Sequence, residues 1–416
     1  MSNDRLTICR KIKLYPVGDK NEINRVYKYI RDGQYAQYQA SNLLMGELLS
    51  EYYKYERDIN NQDFKMRQKE IYQASNPSLK DIQFAVGCDT LSAVTQKVKQ
   101  DFSAALKNGL AKGERTITNY KRTNPLLTRG RSLKFFHNYE TYNELLDKLY
   151  NKDLEIYVKW VNKIVFKIIL GNPHKSHELR SVIQNIFEEN YLVQGSSIEV
   201  DGKNIILNLS ISIPKKQLEL DENIVVGVDL GLAIPAVCAL NNNDYIKQSI
   251  GSKDEFLRIR TQLQSQRRRL QKSLISVSSG HGRKKLRKLE TLKQRERNFV
   301  RTYNHYVSKK VIDFALENNA RYINIEDLSG YDSSDFILRN WSFYELQQFI
   351  IYKAEKYGII VRKVNPYHTS QNCSCCGHWE EGQRIDQSHF ICKACGAKLN
   401  ADFNAARNIA MSTDFR

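Results

Sequence analysis

No apolar run in the chain approaches the ~18 residues that a membrane-spanning helix needs, so no helical anchor is expected. The opening residues Met1-Ser2-Asn3-Asp4-Arg5-Leu6-Thr7 lack the apolar stretch of a signal peptide, and a cytoplasmic location is the expectation. Internal repeats and low-complexity tracts are missing too. Acidic residues are short: 46 Asp and Glu face 64 Lys and Arg, leaving a net charge of +18. An imbalance of that size points to a polyanionic partner. Membrane surface is the competing polyanion, and the missing apolar run counts against it. Cysteine is sparse, at eight, and Cys9, Cys88 and Cys238 are scattered, which suits a reducing compartment better than a disulfide scaffold. Tyrosine is plentiful instead; its 24 rings supply faces for stacking on bases. A length of 416 residues allows two or three domains.

Residues 6–14 alternate loosely and read as a strand. From about 21 to 115 the pattern turns helical, with apolar spacing over 23–32 and 35–56 and little Gly or Pro. A polar, basic connector over 116–135 holds Tyr120-Lys121-Arg122, and a β-rich stretch follows. A helix is expected over 175–189, then a hairpin of 196–200 with 203–213 around Asp201-Gly202, a strong turn dipeptide. Near 221 the character changes. An acid-tipped strand ends at Asp229, a second strand covers 235–240, and a long basic helical region runs over 253–318 with a break near 276–282. Strand 321–326, helix 342–357, strand 359–364 and a short helix from about 402 complete an α/β pattern of three-layer type.

Cys373 and Cys376 are spaced C-x2-C, as are Cys392 and Cys395, with fifteen residues between the pairs. Two such knuckles place four thiolates at the corners of a tetrahedron that suits Zn²⁺. Cys375 is an extra thiol inside the first knuckle and a competing ligand. His378 and His389 lie in the intervening loop and are expected to be solvated.

Three acids stand out by position. Asp229 closes an otherwise apolar strand, and burying it unpaired would cost several kcal/mol. Gly231 beside it removes side-chain bulk. Glu326 closes the strand Tyr322-Ile323-Asn324-Ile325, with Asp327 next to it as the alternative acid. Asp402 lies near a helix N-terminus, where a helix cap is the alternative reading. Taken together, three carboxylates from different elements fit a site for Mg²⁺, which prefers carboxylate oxygen. Two such ions can activate water and stabilise the leaving oxygen of a phosphodiester.

Between 253 and 310 the chain carries eighteen Lys or Arg against four Asp or Glu. Arg267-Arg268-Arg269 and Arg283-Lys284-Lys285 form the densest clusters, far denser than a solvated helix face needs. A basic hairpin placed between Asp229 and Glu326 is expected to hold a nucleic-acid backbone without reading its sequence.

Gly227-Val228-Asp229-Leu230-Gly231, Ile325-Glu326-Asp327-Leu328, Thr369-Ser370-Gln371-Asn372-Cys373-Ser374-Cys375-Cys376-Gly377 and Asn400-Ala401-Asp402-Phe403-Asn404-Ala405-Ala406-Arg407-Asn408 resemble the three split RuvC motifs and zinc ribbon of TnpB and type V nucleases. Gly280-His281-Gly282-Arg283 and Asn340-Trp341-Ser342-Phe343-Tyr344-Glu345-Leu346-Gln347-Gln348 resemble, more narrowly, the miniature type V-F CRISPR-associated effectors, the Cas-twelve-f group. The likeness is dense over 223–411; over 1–222 it rests on element order and on Tyr120-Lys121-Arg122. It implies a RuvC, RNase H-like nuclease domain at 221–366 and 400–416 with Asp229, Glu326 and Asp402 as catalytic acids holding two Mg²⁺ ions. It also implies a wedge β-barrel at 1–20 and 116–220, a helical recognition domain at 21–115, and a zinc ribbon at 367–399. Arg384 falls where the family carries an arginine near the scissile strand, and Cys375 is the departure from its pattern. Nucleic-acid contacts are expected from Tyr120, Lys121, Arg122, Arg267, Arg268, Arg269, Arg283 and Lys284. The implied partners are a guide RNA, a PAM-flanked double-stranded DNA target and a second copy of the chain on the same guide, in a role in antiviral defence. Base pairing would read the target while protein reads the flanking duplex and backbone shape. The rival readings are a transposon-encoded TnpB nuclease and a zinc-ribbon nucleic-acid-binding protein without cleavage; the intact acids argue against the last.

Overall fold

The structure, a computed structural model, describes residues 4–73, 75–82, 84, 88–114, 116–216, 218–231, 234–275, 282–327, 343–367, 369–386 and 388–416. It divides into two compact units, Met1–Pro214 and Lys215–Arg416. The sequence motifs around Gly280 and His281 and around Asn340, Trp341 and Ser342 lie outside the described residues, as does Leu328.

In the first unit, strand β1 (Arg5–Pro16) leads into helices α1 (Lys20–Lys54), α2 (Gln62–Ile71) and α3 (Cys88–Ala105). The apolar segments 23–32 and 35–56 merge into this one helix α1, which ends at Lys54 and carries Gly33 buried within it. Asp19 and Glu22 form a reciprocal capping box at its start. Its inner face, Ala40, Leu44 and Leu48, packs on Phe64, Val94, Val98 and Phe102. The chain then adds β2 (Leu126–Thr128), β3 (Lys134–His137), α4 (Tyr142–Lys148), β4 (Ile156–Lys159), β5 (Val165–Ile169), α5 (His177–Phe187), β6 (Leu192–Val193), β7 (Ser196–Asp201) and β8 (Asn204–Pro214). All strand pairs are antiparallel, in the order β2-β7-β8-β1-β5-β4-β3, with β6 beside β8. Alternation along β8 buries Ile205, Leu207, Leu209, Ile211 and Ile213 on one face. The expected connector over 116–135 therefore holds a strand, β2, whose Leu126 is fully buried.

The second unit is built on a five-stranded sheet. Its elements are β9 (Asp221–Asp229), β10 (Ala236–Leu240), β11 (Lys247–Ile250), α6 (Lys253–Ile275), α7 (Gly282–Glu317), β12 (Ala320–Glu326), α8 (Phe343–Lys356) and β13 (Ile360–Val364). Then come the short pair β14 (His389–Ile391) and β15 (Lys398–Asn400) and the helix α9 (Ala401–Met411). Sheet order is β11-β10-β9-β12-β13. The pair β9–β12 and the pair β12–β13 are parallel, while β10 and β11 run antiparallel to their neighbours. Val226, Val228, Ile323 and Ile325 form the sheet's buried core with Val307, Val311 and Ile350 from the helices. Parallel β9 and β12 both end in an acid at the same edge, where α/β sheets generally bind ligands.

Candidate active site and metal centre

Strand register brings the first two acids together. Val228 lies opposite Ile325 in the parallel β9–β12 pair, so Asp229 and Glu326 are the next residues on adjacent strands. The third acid arrives on α9, which lies against β9. A Cβ on Gly227 would stand 2.0 Å from the Ala406 carbonyl oxygen and 2.3 Å from the Ala410 nitrogen, so the helix can approach because position 227 has no side chain. Gly231, singled out in the sequence for its missing bulk, is tight as well: a Cβ there would stand 3.0 Å from the Ile234 carbonyl oxygen, but the helix approach is at Gly227. Asn324, fully buried on β12 two residues before Glu326, donates through Nδ2 to Ile409 O at 2.9 Å and Ala410 O at 3.3 Å. These carbonyls end α9, so Asn324 caps its C-terminus. At the other end Asn400 Oδ1 accepts from Phe403 N at 3.0 Å. Asn400, not Asp402, is the N-cap, and Asp402 is left in the first turn, where the helix dipole favours a negative charge.

The carboxyls of Asp229, Glu326 and Asp402 are all pushed above their usual range. For each the first cause is lost hydration. Asp229 shifts furthest, to about 8, because the Glu326 and Asp402 charges add to its burial. Arg384 supplies the opposing charge. Its Nη2 donates to Asp402 Oδ1 at 3.1 Å, and its guanidinium pulls all three carboxyls back down. Three carboxyls therefore share one nearby guanidinium. Oxygen-only donors in a half-buried, charge-crowded place fit a hard divalent ion. Asp327 is not part of this set; Lys363 Nζ donates to its Oδ1 at 3.0 Å.

The four predicted thiols converge as well. The ligand sulfurs of Cys373, Cys376, Cys392 and Cys395 all lie within 4.8 Å of one another, and among the described residues the acids form no cluster of that tightness. The two knuckles turn alike: Gly377 N donates to Cys373 O at 2.8 Å and Gly396 N to Cys392 O at 3.0 Å. Cys375 is exposed and outside the group. His378 pairs with Glu380 and His389 with Asp386, so neither ring joins the sulfurs. A tetrathiolate set of this kind fits zinc. Phe390 and Ala401 pack against Cys373 and Cys392, which ties the cysteine core to the first residue of α9.

The basic hairpin is less uniform than its charge count. Arg267 Nη1 donates to Glu296 Oε2 at 2.7 Å, Gln264 Nε2 donates to Glu296 Oε1 at 3.2 Å, and Arg260 lies 3.6 Å from the same carboxylate. Arg267 is a brace between α6 and α7, while Arg268 and Arg269 face outward. The side chains of Arg283 and Lys284 lie outside the described residues. In the first unit Tyr120 is buried, with its hydroxyl donating to Asp101 Oδ2 at 2.9 Å, so its ring is core and offers no stacking face. Lys121 and Arg122 are exposed, and Arg122 lies over the Tyr35 ring at 4.3 Å.

At 34% identity over 343 residues, the chain matches the CRISPR-associated endodeoxyribonuclease Cas12f1 of Sulfoacidibacillus thermotolerans, across 80% of this chain and 79% of that protein. The chain belongs to the Cas12f1 family. A family model described as Cas12f1-like, TNB domain matches residues 343–409, which in this Cas12f1 family member take in α8, the four sulfurs and Asp402. A TnpB-like protein of Methanocaldococcus jannaschii is 30% identical over 235 residues, half of this chain and 76% of that one. In fold, the chain is similar to a cryo-EM structure of a Cas12f1–sgRNA–target DNA complex. The TM-score is 0.69 at 19% identity, over 99% of this chain and 100% of the other.

Proposed function

We propose that the chain is an RNA-guided, PAM-dependent DNA endonuclease that hydrolyses target phosphodiesters at Asp229, Glu326 and Asp402. The observation carrying this is geometric: the register of parallel β9 and β12 sets Asp229 and Glu326 side by side, and Asp402 on α9 faces the same guanidinium, Arg384, whose charge reaches all three. In a family whose relatives are named endodeoxyribonucleases, such a set is suited to a pair of Mg²⁺ ions. Magnesium bound there would polarise a water and neutralise the leaving oxygen. Asp229 and Glu326 offer carboxylate oxygens from rigid strand ends, and Asp402 adds one from the first turn of α9. Arg384 is the counter-charge: its guanidinium fork, now on Asp402, would suit a phosphate oxygen once cations satisfy the acids. Zinc on Cys373, Cys376, Cys392 and Cys395 would fix the ribbon that carries Arg384.

In this reading the second unit holds an RNase H-like RuvC domain interrupted by the ribbon. The antiparallel sheet of the first unit serves as the wedge barrel, and α1–α3 form the recognition domain. Guide RNA and double-stranded target DNA are the partners, with two copies of the chain on one guide. The TnpB alternative shares the chemistry but is supported over half of this chain, against 80% for Cas12f1. The direct test is to sequence the RNA that copurifies with the protein and offer a plasmid matching its variable segment. Magnesium-dependent linearisation of that plasmid alone is expected; a protein free of RNA, or one that leaves the matched plasmid intact, would refute the proposal.

Arg268 and Arg269, exposed on α6, are expected to contact phosphates. Changing both to Ala should weaken guide-loaded DNA binding alike across target sequences and lower the salt slope of log K by about 2. A loss confined to one target sequence would contradict phosphate contact. Arg267→Ala belongs to another class, because it leaves the buried Glu296 short of a partner and costs stability.

A further inference from the structure

Beyond the acids and the sulfurs, a third set of polar residues joins the two. Asn404 and Asn408 lie four residues apart on α9 and so share a helix face. Both donate through Nδ2 to the Asn372 carbonyl at 2.7 Å, and Asn408 also donates to the Thr369 carbonyl at 2.8 Å. Asn404 Oδ1 accepts from Ser374 N at 2.8 Å, and Asn404 is fully buried. The segment 369–374, which enters the first knuckle at Cys373, is thus laced to the helix that carries Asp402. At its near end Thr369, also buried, places its hydroxyl against Glu326 Oε1, with the Pro366 carbonyl 3.1 Å away on another side.

A hydroxyl has one proton. Facing a carboxylate, Thr369 gives that proton to Glu326, which occupies one carboxylate oxygen and fixes the rotamer, leaving the second oxygen for a ligand. A continuous path therefore runs from the Asp402 helix through Asn408 and the backbone of 369–372 to the Glu326 carboxylate. We propose that Thr369, anchored by Asn404 and Asn408, is a positioning residue that sets Glu326 relative to Asp402 and so tunes the affinity of the acid site for its divalent ions. This rests on the acid-site reading above.

The test measures binding of Mn²⁺ alone to the full-length protein, by calorimetry or by the spin-resonance signal of free ion, in wild type and in Thr369→Val, Thr369→Ser, Asn408→Ala and Glu326→Gln. Val keeps the shape of Thr without its proton, and Ser keeps the proton. Thr369→Val should weaken Mn²⁺ binding about tenfold, the scale found for partners that orient metal ligands. Thr369→Ser should stay within about twofold of wild type, with zinc content unchanged in both. Asn408→Ala, which removes the anchor instead of the hydroxyl, should weaken Mn²⁺ binding in the same direction and decides the matter if Thr369→Val fails to fold. Wild-type affinity in Thr369→Val, equal loss in Ser and Val, or Mn²⁺ loss that follows zinc loss would each overturn the positioning role. Glu326→Gln separates the two layers. If it binds Mn²⁺ as wild type does, the acid site itself is misassigned; if it is weak while Thr369→Val is silent, only the positioning role falls.

Discussion

Asp229→Asn is expected to cut matched DNA about a thousandfold more slowly than wild type while binding guide and target normally. The size follows from the several kcal/mol of charge stabilisation that a metal site contributes. Binding survives because the substitution is nearly isosteric and β9 keeps its ladder on both sides. The same variant carries an opposite effect on stability. The folded protein holds the Asp229 proton up to about 8, against 3.8 for an ordinary Asp, so between those values the folded state binds more protons than the unfolded one. Folding stability in magnesium-free buffer then falls as pH rises from about 4 to about 8. Asn has no charge to bury, so metal-free Asp229→Asn should melt higher than wild type at pH 7 by about 2–4 °C for each kcal/mol relieved. The gap should close near pH 4 and shrink at pH 7 when magnesium is added. Cleavage at the wild-type rate would remove Asp229 from the reaction, and a melting difference independent of pH would remove the charge-crowding account.

The acids and sulfurs were legible in the chain because each leaves a local mark. Asp229 and Glu326 end apolar strands, where a carboxylate has no structural excuse, and the cysteines keep a short fixed spacing. Asn324 leaves no such mark. It reads as one polar residue in a strand, and its partners are the carbonyls of Ile409 and Ala410 at the far end of α9. Thr369, Asn404 and Asn408 are hidden for the same reason: they bind backbone or carboxylate groups distant in sequence, and no periodicity announces them. Gly227 was visible but its purpose was not, since that depends on which helix lies over it. The basic hairpin shows the reverse failure. Counting charges saw Arg267 as one of many cations, whereas packing α6 on α7 brought it to the buried Glu296. Tyr120 misled similarly, because a ring that can stack on a base can equally fill a core.

The second large effect is expected from the ribbon. Cys392 is almost fully buried, and its sulfur lies 3.6 Å from that of Cys376. Structural zinc stabilises small domains by about 10–16 kcal/mol, so losing one of four thiolates should remove much of what holds the two knuckles together. The consequences spread along contacts already described. Phe390 and Ala401 share the cysteine core, and Ala401 N donates to Ser388 O at 3.0 Å, which fixes the start of α9 one residue before Asp402. Arg384 pairs by a β-bridge with Phe390, so it too loses its footing. Cys392→Ser should therefore lower bound zinc from about one ion per chain to well under half and slow matched-target cleavage by about a hundredfold, at the upper end of what loss of metal-site support costs. Zinc is counted by elemental analysis and cleavage by single-turnover assay on the same preparation. Cys375→Ser is the control: its thiol is exposed and outside the four, so zinc and rate should both hold. A Cys392→Ser protein with full zinc and full rate would break the link between ribbon and acid site. Zinc loss in Cys375→Ser would instead mean that the extra thiol, and not one of the four, closes the shell.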